Sequence, residues 1–510
     1  MNMRLTAALV LLTVPATAAE RPDMLRFTNG DQLRGSFAGL RPGPMVHWRH
    51  DDLATPAEFK TTSLHQLVLR EGQPLSPLRT LSHIELANHD RFPGKILALD
   101  DTKLTLETDY AGLIEIPREH LSIMAPNPMG GRLHYHGPFA QDEWEMVSIP
   151  AKEDEIPAPD EEAASIDEEQ DEKKTDQEPE KWIFTGSSWL WNGKTPETAL
   201  TRADALPERS ILRFELAWKS RLSLALAMQA DFNCPPAVAD KDRRIQRVFN
   251  TMDPRSLARV FGTSHILQLY SNYLTHITTR VDENGEITVN RGAHGNHSIR
   301  LGDSGKARIE IRSNRKTGEV SLFVDDEFTA QWTAHRNQDA PDAPDIPAFT
   351  RGGIGFIAMT HDSPVKISDI VITEWNGMPD AARSLQVDDF DIVLMNNGTD
   401  RYAGKVGGFG ADGIVDFEGR HGSFRLPLAE IAEIRFARGG LAKIPETTGN
   451  SILVRMGPMG VICGTPAGGD HKSIDLLNPS AGKITLSLAP ATLIDFNPSH
   501  IAIDEWSHDF

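Results

Sequence analysis

Apolar and polar residues alternate at period two through much of this chain. The segments 211–218, 222–230, 265–270, 273–281, 308–312, 319–324, 353–361 and 365–375 all read this way. That period is the mark of half-buried antiparallel strands. The turns between them carry the matching chemistry: Asp282-Glu283-Asn284-Gly285, Arg315-Lys316-Thr317-Gly318 and the charged tip Asp325-Asp326-Glu327. Four short strands over 308–375 suit the closing half of a two-sheet sandwich spanning 182–378. The polar stretch 240–259 breaks the pattern and predicts a short helix or a surface loop.

A second pattern occurs four times. Leu25–Phe37 runs strand, Asn29-Gly30 turn, strand, and Ile84–Ile96, Ile392–Val406 and Ile452–Gly464 follow it. Each copy continues into two more strands and, in most, a Pro step into a last apolar segment. A repeat of about 50 residues describes architecture before chemistry. Gly35, Gly94, Gly404 and Gly464 stand after the turn, where a small barrel would bend a strand sharply.

Composition adds three expectations. The net charge is −20, and Lys152–Lys181 holds 14 acidic against 4 basic side chains, half of that net charge in one segment. This segment lacks the apolar surface needed to offset ordering, so it reads as a spacer. No basic footprint is present, which argues against nucleic acid as a partner. Residues 1–19 combine Arg4, an apolar run and a small-residue site at Ala16-Thr17-Ala18, the layout of a secretory leader. Export to a periplasm or cell surface, with no transmembrane anchor in the mature chain, is therefore expected. Cys234 and Cys463 are expected as buried thiols rather than a disulfide framework.

Arg308–Trp332, Gly353–His361 and 365–372 resemble the closing strands of concanavalin-A-like and laminin-G-like jelly rolls, including the 3-keto-disaccharide-hydrolase-like family. The repeats, with their strand-turn-strand-Gly opening, resemble Sm-like small β-barrels. Together these give an all-β chain, a central jelly-roll sandwich flanked by two pairs of small β-barrel repeats. The divisions are a leader at 1–19, repeats at 20–80 and 81–126, a polar segment and acidic linker at 127–181, the sandwich at 182–378, and repeats at 386–438 and 449–510. The jelly-roll resemblance implies glycan or a cell-surface protein as partner. It also brings calcium into view, although no Asp-x-Asp-x-Asp loop supports it and no cofactor is otherwise implied.

The chemistry-bearing residues are sparse. His361, at the end of a closing strand, is the best single candidate for ligand contact. Trp189, Trp191 and Trp332 could stack on a sugar if their rings reach solvent; core packing is the competing role. Asp325–Glu327 reads as a hairpin tip, and Glu215 and Glu310 as solvent-facing sheet positions. His134 and His136 share a strand face, and His294 and His297 a polar loop, without a third metal ligand. Catalytic residues are not identified. A non-catalytic binding or scaffold protein is favoured over a carbohydrate-active enzyme working on the concave face of the jelly roll. A third reading makes the repeats a homo-oligomerising platform.

Overall fold

The computed structural model describes residues 21–128, 132–149, 182–234, 253–333, 349–359, 364–375 and 387–496, except 30, 42, 44, 193–197, 398–399 and 446–449. The leader, the linker 151–181 and His361 lie outside the described residues.

The four repeats share one strand order. In unit 1, Asp23–Phe27 lies between Leu64–Val68 on one side and Gln32–Arg41 on the other, followed by Met45–Arg49 and Ala57–Lys60. Thus the fifth strand pairs back onto the first. Units 2, 3 and 4 repeat this ladder around His83–Leu86, Asp391–Met395 and Ile452–Met456. The glycines explain how each second strand crosses its third. A Cβ on Gly35, Gly94, Gly404 or Gly464 would come within 3.0 Å of a third-strand carbonyl oxygen, from Arg49, Glu107, Glu418 or Leu477. Asp23 and Asp391 make the same tie in units 1 and 3. Each carboxylate accepts from a second-strand amide and from an amide just beyond the fifth strand, at 2.8–2.9 Å.

Neighbours along the chain are not the main neighbours in space. The fifth strand of unit 1 pairs antiparallel with that of unit 4, Leu67 opposite Ile494, and the fifth strand of unit 2 with that of unit 3, Met124 opposite Ile434. Each seam is reinforced by a second contact, between second strands at Leu40–Gly469 and by an isolated bridge from the second strand of unit 2 at Leu99–Phe409. The two modules touch through Val461–Arg91 and through Asp90, which accepts from the Cys463 amide and Asn478. One apolar core runs through all four units, including Leu25, Ile84, Val393 and Val454. The pairing is nested, with the sandwich inserted at its middle.

The sandwich has an eight-stranded and a seven-stranded antiparallel sheet, which share a core. It begins earlier than 182. Leu133–Gly137 pairs with Val365–Glu374, and Glu145–Ser148 with Thr198–Arg202, so residues assigned by composition to a polar segment are sandwich strands. Buried Tyr135 holds them in place, donating to Glu143 at 2.6 Å and accepting from Trp144 at 2.9 Å. The stretch 240–259 yields one described helix, Pro254–Phe261, capped by Asp253, whose side chain accepts from the Arg255 amide. Its Phe261 packs on Gly355, where a Cβ would strike the ring.

Candidate binding cleft

Alternation sorts the strands of the eight-stranded sheet correctly into an inner apolar face and an outer polar one. In Arg209–Trp218 and Gly305–Asn314 the outer positions include Arg213 and Glu215, facing Glu310 and Arg308 directly across the ladder. Glu310 does not face water, contrary to the sequence reading, while Glu215 is half-buried and paired with the exposed Lys306 at 2.8 Å. Glu310 is 1% exposed and Arg312 1%, because units 2 and 3 lie over them. Arg213 donates twice to Glu310, at 2.6 and 3.0 Å, and Arg312 donates at 2.9 Å.

The covering strands supply the remaining charges. Arg308 contacts Glu85 of unit 2 at 2.8 Å and Asp326 at 3.5 Å. Arg435 of unit 3 donates to Asp326 at 2.7 Å and lies 2.7 Å from Glu433 as an ion contact without hydrogen-bond alignment. Arg91 and His136 converge on Asp369 at 3.1 Å each. Burial by itself would push the Asp326 carboxyl up; Arg435 and Arg308 outweigh it and hold the group below its ordinary range. The same contest, won by Arg213 and Arg312, keeps Glu310 depressed. A smaller apolar patch, Phe323 with Ile392 and Leu394, completes the contact.

At one edge this seam opens into a cleft of about 780 Å³. Unit 2 contributes Ala87, His89 and Ser122; Arg438 and Leu441 follow unit 3; the sandwich adds Ser298–Leu301, Arg308 and the hairpin Val324–Thr329. The hairpin tip Asp325–Glu327 is a turn, as its composition implies, with positive φ of 49° and 64° at Asp325 and Asp326. It also has a second task. Asp326 joins the buried ion cluster, while Arg438 donates to Glu327 Oε1 at 3.1 Å and to the Asp325 carbonyl at 2.9 Å. His89 stands at the mouth, its Nδ1 2.7 Å from Arg308 Nη2 and 3.3 Å from Glu85 Oε1.

The tryptophan platform is a correction. Trp189 and Trp191 are 0% exposed and Trp332 is 7% exposed, all within the sandwich core. Trp182 lies 5.6 Å from Trp191, and Trp332 stacks on His276 at 4.8 Å. Their large apolar area is used between the sheets, so no ring face is offered to a sugar. His134 contacts Glu374 at 3.2 Å and His136 contacts Asp369 at 3.1 Å, which engages these imidazoles in polar contacts of the sheet. The side chain of His294 lies outside the described residues, and His297 packs edge-on against Trp332. Among the described residues, no group of three or more His, Cys, Asp or Glu side chains could hold a metal ion. No described helix is long and apolar enough to cross a membrane.

Sequence reasoning missed Glu85, Arg435 and the rest of the covered ion cluster. One signal was legible: opposite charges at cross-strand positions on a single sheet face, Arg213 with Glu310 and Glu215 with Arg308.

No family model matches this chain, and no curated protein matches it. Solved structures resemble it at low similarity. The Emp46p carbohydrate recognition domain in its metal-free form is 7% identical, with a TM-score of 0.27 over 48% of this chain and 97% of that one. The carbohydrate binding module CBM66 from Bacillus subtilis is 10% identical, with a TM-score of 0.22 over 38% and 92%. A Bacillus licheniformis β-glucanase is 8% identical, with a TM-score of 0.25 over 48% and 99%. The fold description rests on strand pairing and core packing.

Proposed function

We propose that this chain is an exported, non-catalytic binding protein whose ligand site is the seam cleft, and that its ligand is a polar glycan displayed on a surface or on a protein partner. The observation that carries the reading is the cleft itself. It is about 780 Å³ in volume, and its lining combines Arg300, Arg308, Arg438, Asp325, Glu327, Ser122 and Thr329 with the half-buried ring of Phe328. Planar charged groups and hydroxyls at fixed spacing match the paired donors and acceptors of a sugar ring, and one aromatic edge matches its apolar face. The cleft replaces the tryptophans as the place for this ligand.

Recognition is supported by the way the charges of the cleft are tied down. Arg435 and Arg308 hold the buried Asp326 carboxyl below its ordinary range, and Arg438 donates to Glu327. Charged groups already fixed in ion pairs present a set surface to a ligand.

A glycan array probed with the full-length protein tests the reading, followed by titration of any hit against Arg300→Ala and Glu327→Ala, both on the exposed rim. Each variant is expected to weaken binding by about tenfold, the scale of one charged hydrogen bond. An array without a hit, or a hit that neither substitution weakens, would rule out the cleft as the glycan site.

A further inference from the structure

In every unit the fourth strand is the outer edge of its ladder. The fifth strands are used up inside the chain, where unit 1 meets unit 4 and unit 2 meets unit 3. Among the described residues, Gly112–Pro117 of unit 2 pairs only with Lys103–Thr108, and Gly422–Pro427 of unit 3 only with Ile414–Gly419. These two edges are alike in length, each running six residues from a glycine to a proline. Proline lacks a donor, so each ends a ladder at the same point. Both expose apolar side chains, Leu113 at 68% and Phe424 at 38%.

They differ in charge. Glu115 in unit 2 stands where Arg425 stands in unit 3, three residues after the glycine and two before the proline. The neighbouring strand carries the opposite sign in each case. Lys103 Nζ lies 2.5 Å from Glu115, and Arg425 lies 3.7 Å from Asp416 and donates to Asp412, just before that strand, at 3.3 Å.

We propose that the occupant of this edge is a second copy of the same chain, its Gly422–Pro427 extending the sheet antiparallel to Gly112–Pro117. With Glu115 opposite Arg425, Leu113 falls opposite Pro427 and Ile114 opposite Leu426. The four strands then present Lys103, Glu115, Arg425 and Asp416 in alternating sign across the seam. Charged edges normally keep sheets apart. Here the same charges select one pairing, because like edges would set Glu115 against Glu115 or Arg425 against Arg425, which is unfavourable. Backbone hydrogen bonds supply the attraction and the charges set the register. Each copy carries both halves of a head-to-tail contact, which builds either closed rings or chains.

Sedimentation velocity of the full-length protein over a concentration series is the test. The natural sequence is expected to self-associate. Glu115→Arg and Arg425→Glu alone should each raise the dissociation constant by about tenfold, since each turns an attractive cross-strand pair repulsive. The double variant should return to within about threefold of the natural sequence. Each single reversal mismatches one intrachain contact, with Lys103 or with Asp412 and Asp416, and the double variant mismatches both, so recovery can come only from the contact between copies. A protein that stays monomeric throughout the series would overturn the proposal, as would single reversals that leave association unchanged or a double variant no better than either single. Circular dichroism of each variant is the check that these exposed substitutions leave the fold intact.

Discussion

Arg435 shows how differently the same residue type behaves inside the seam and at its rim. It is 0% exposed and bridges Asp326 and Glu433. Burying charges costs solvation that their mutual attraction only roughly offsets, so the cluster adds little net stability as a whole. Removing one member is another matter, because the carboxylates left behind are buried without a counter-charge. Arg435→Ala is therefore expected to destabilise the protein by about 3–5 kcal/mol, read from urea unfolding. Arg438 makes a similar contact to Glu327, but its side chain is 33% exposed and that of Glu327 63%. Its replacement by alanine should cost about 0–1 kcal/mol. Equal losses for the two variants would show that the seam admits water. None of this contrast is visible in the sequence, where both are arginines beside a glycine or an apolar strand.

Elements were more legible than residues. Period-two alternation located the strands 211–218, 223–230 and 353–358, and the four glycines marked where each second strand bends over its third. The reason is local: alternation and a missing Cβ are properties of a few consecutive residues. Gly404→Ala is expected to destabilise unit 3 by about 1–3 kcal/mol, since its Cβ would meet the Glu418 carbonyl and the Phe417 ring. Gly410→Ala, with nothing within 4 Å, is the matched control and should change stability by less than about 0.5 kcal/mol. Their urea midpoints give the comparison. Strands 133–137 and 145–148 escaped the pattern because they are short, and because Glu143 and Trp144, which hold Tyr135, look polar or isolated when read in order.

At the scale of the whole molecule, acid should loosen the repeats and the sandwich together. Burial, aided by Arg91, lowers the His83 imidazole to about 4; burial, aided by His297, lowers His276 to about 3. Both therefore stay neutral in the folded protein at pH values where the unfolded chain, near 6.5, takes up protons. The unfolded state binds more protons below that point, so stability is complete above about pH 6.5 and falls as the pH drops toward 4. Two such groups give a slope of about 2.7 kcal/mol per pH unit. The depressed carboxylates Asp326 and Glu310 act in a separate window; their contribution is present above about pH 4 and is lost below it. Melting temperatures measured from about pH 7 to about pH 5 should fall steadily, and His276→Gln should flatten the profile. A flat profile in the natural protein would contradict neutral burial of both imidazoles. By itself, then, the sequence determined what depends on neighbouring residues: an all-β chain, a repeated five-strand unit, its bends, and which side chains leave each sheet on which face. Only the tertiary structure decided what each face meets. It paired unit 1 with unit 4 and unit 2 with unit 3, sank the tryptophans into the core and turned the outer charges of a sheet into a buried seam with a cleft at its edge. These are contacts between residues hundreds of positions apart, and no local pattern specifies which of two polar faces will find the other.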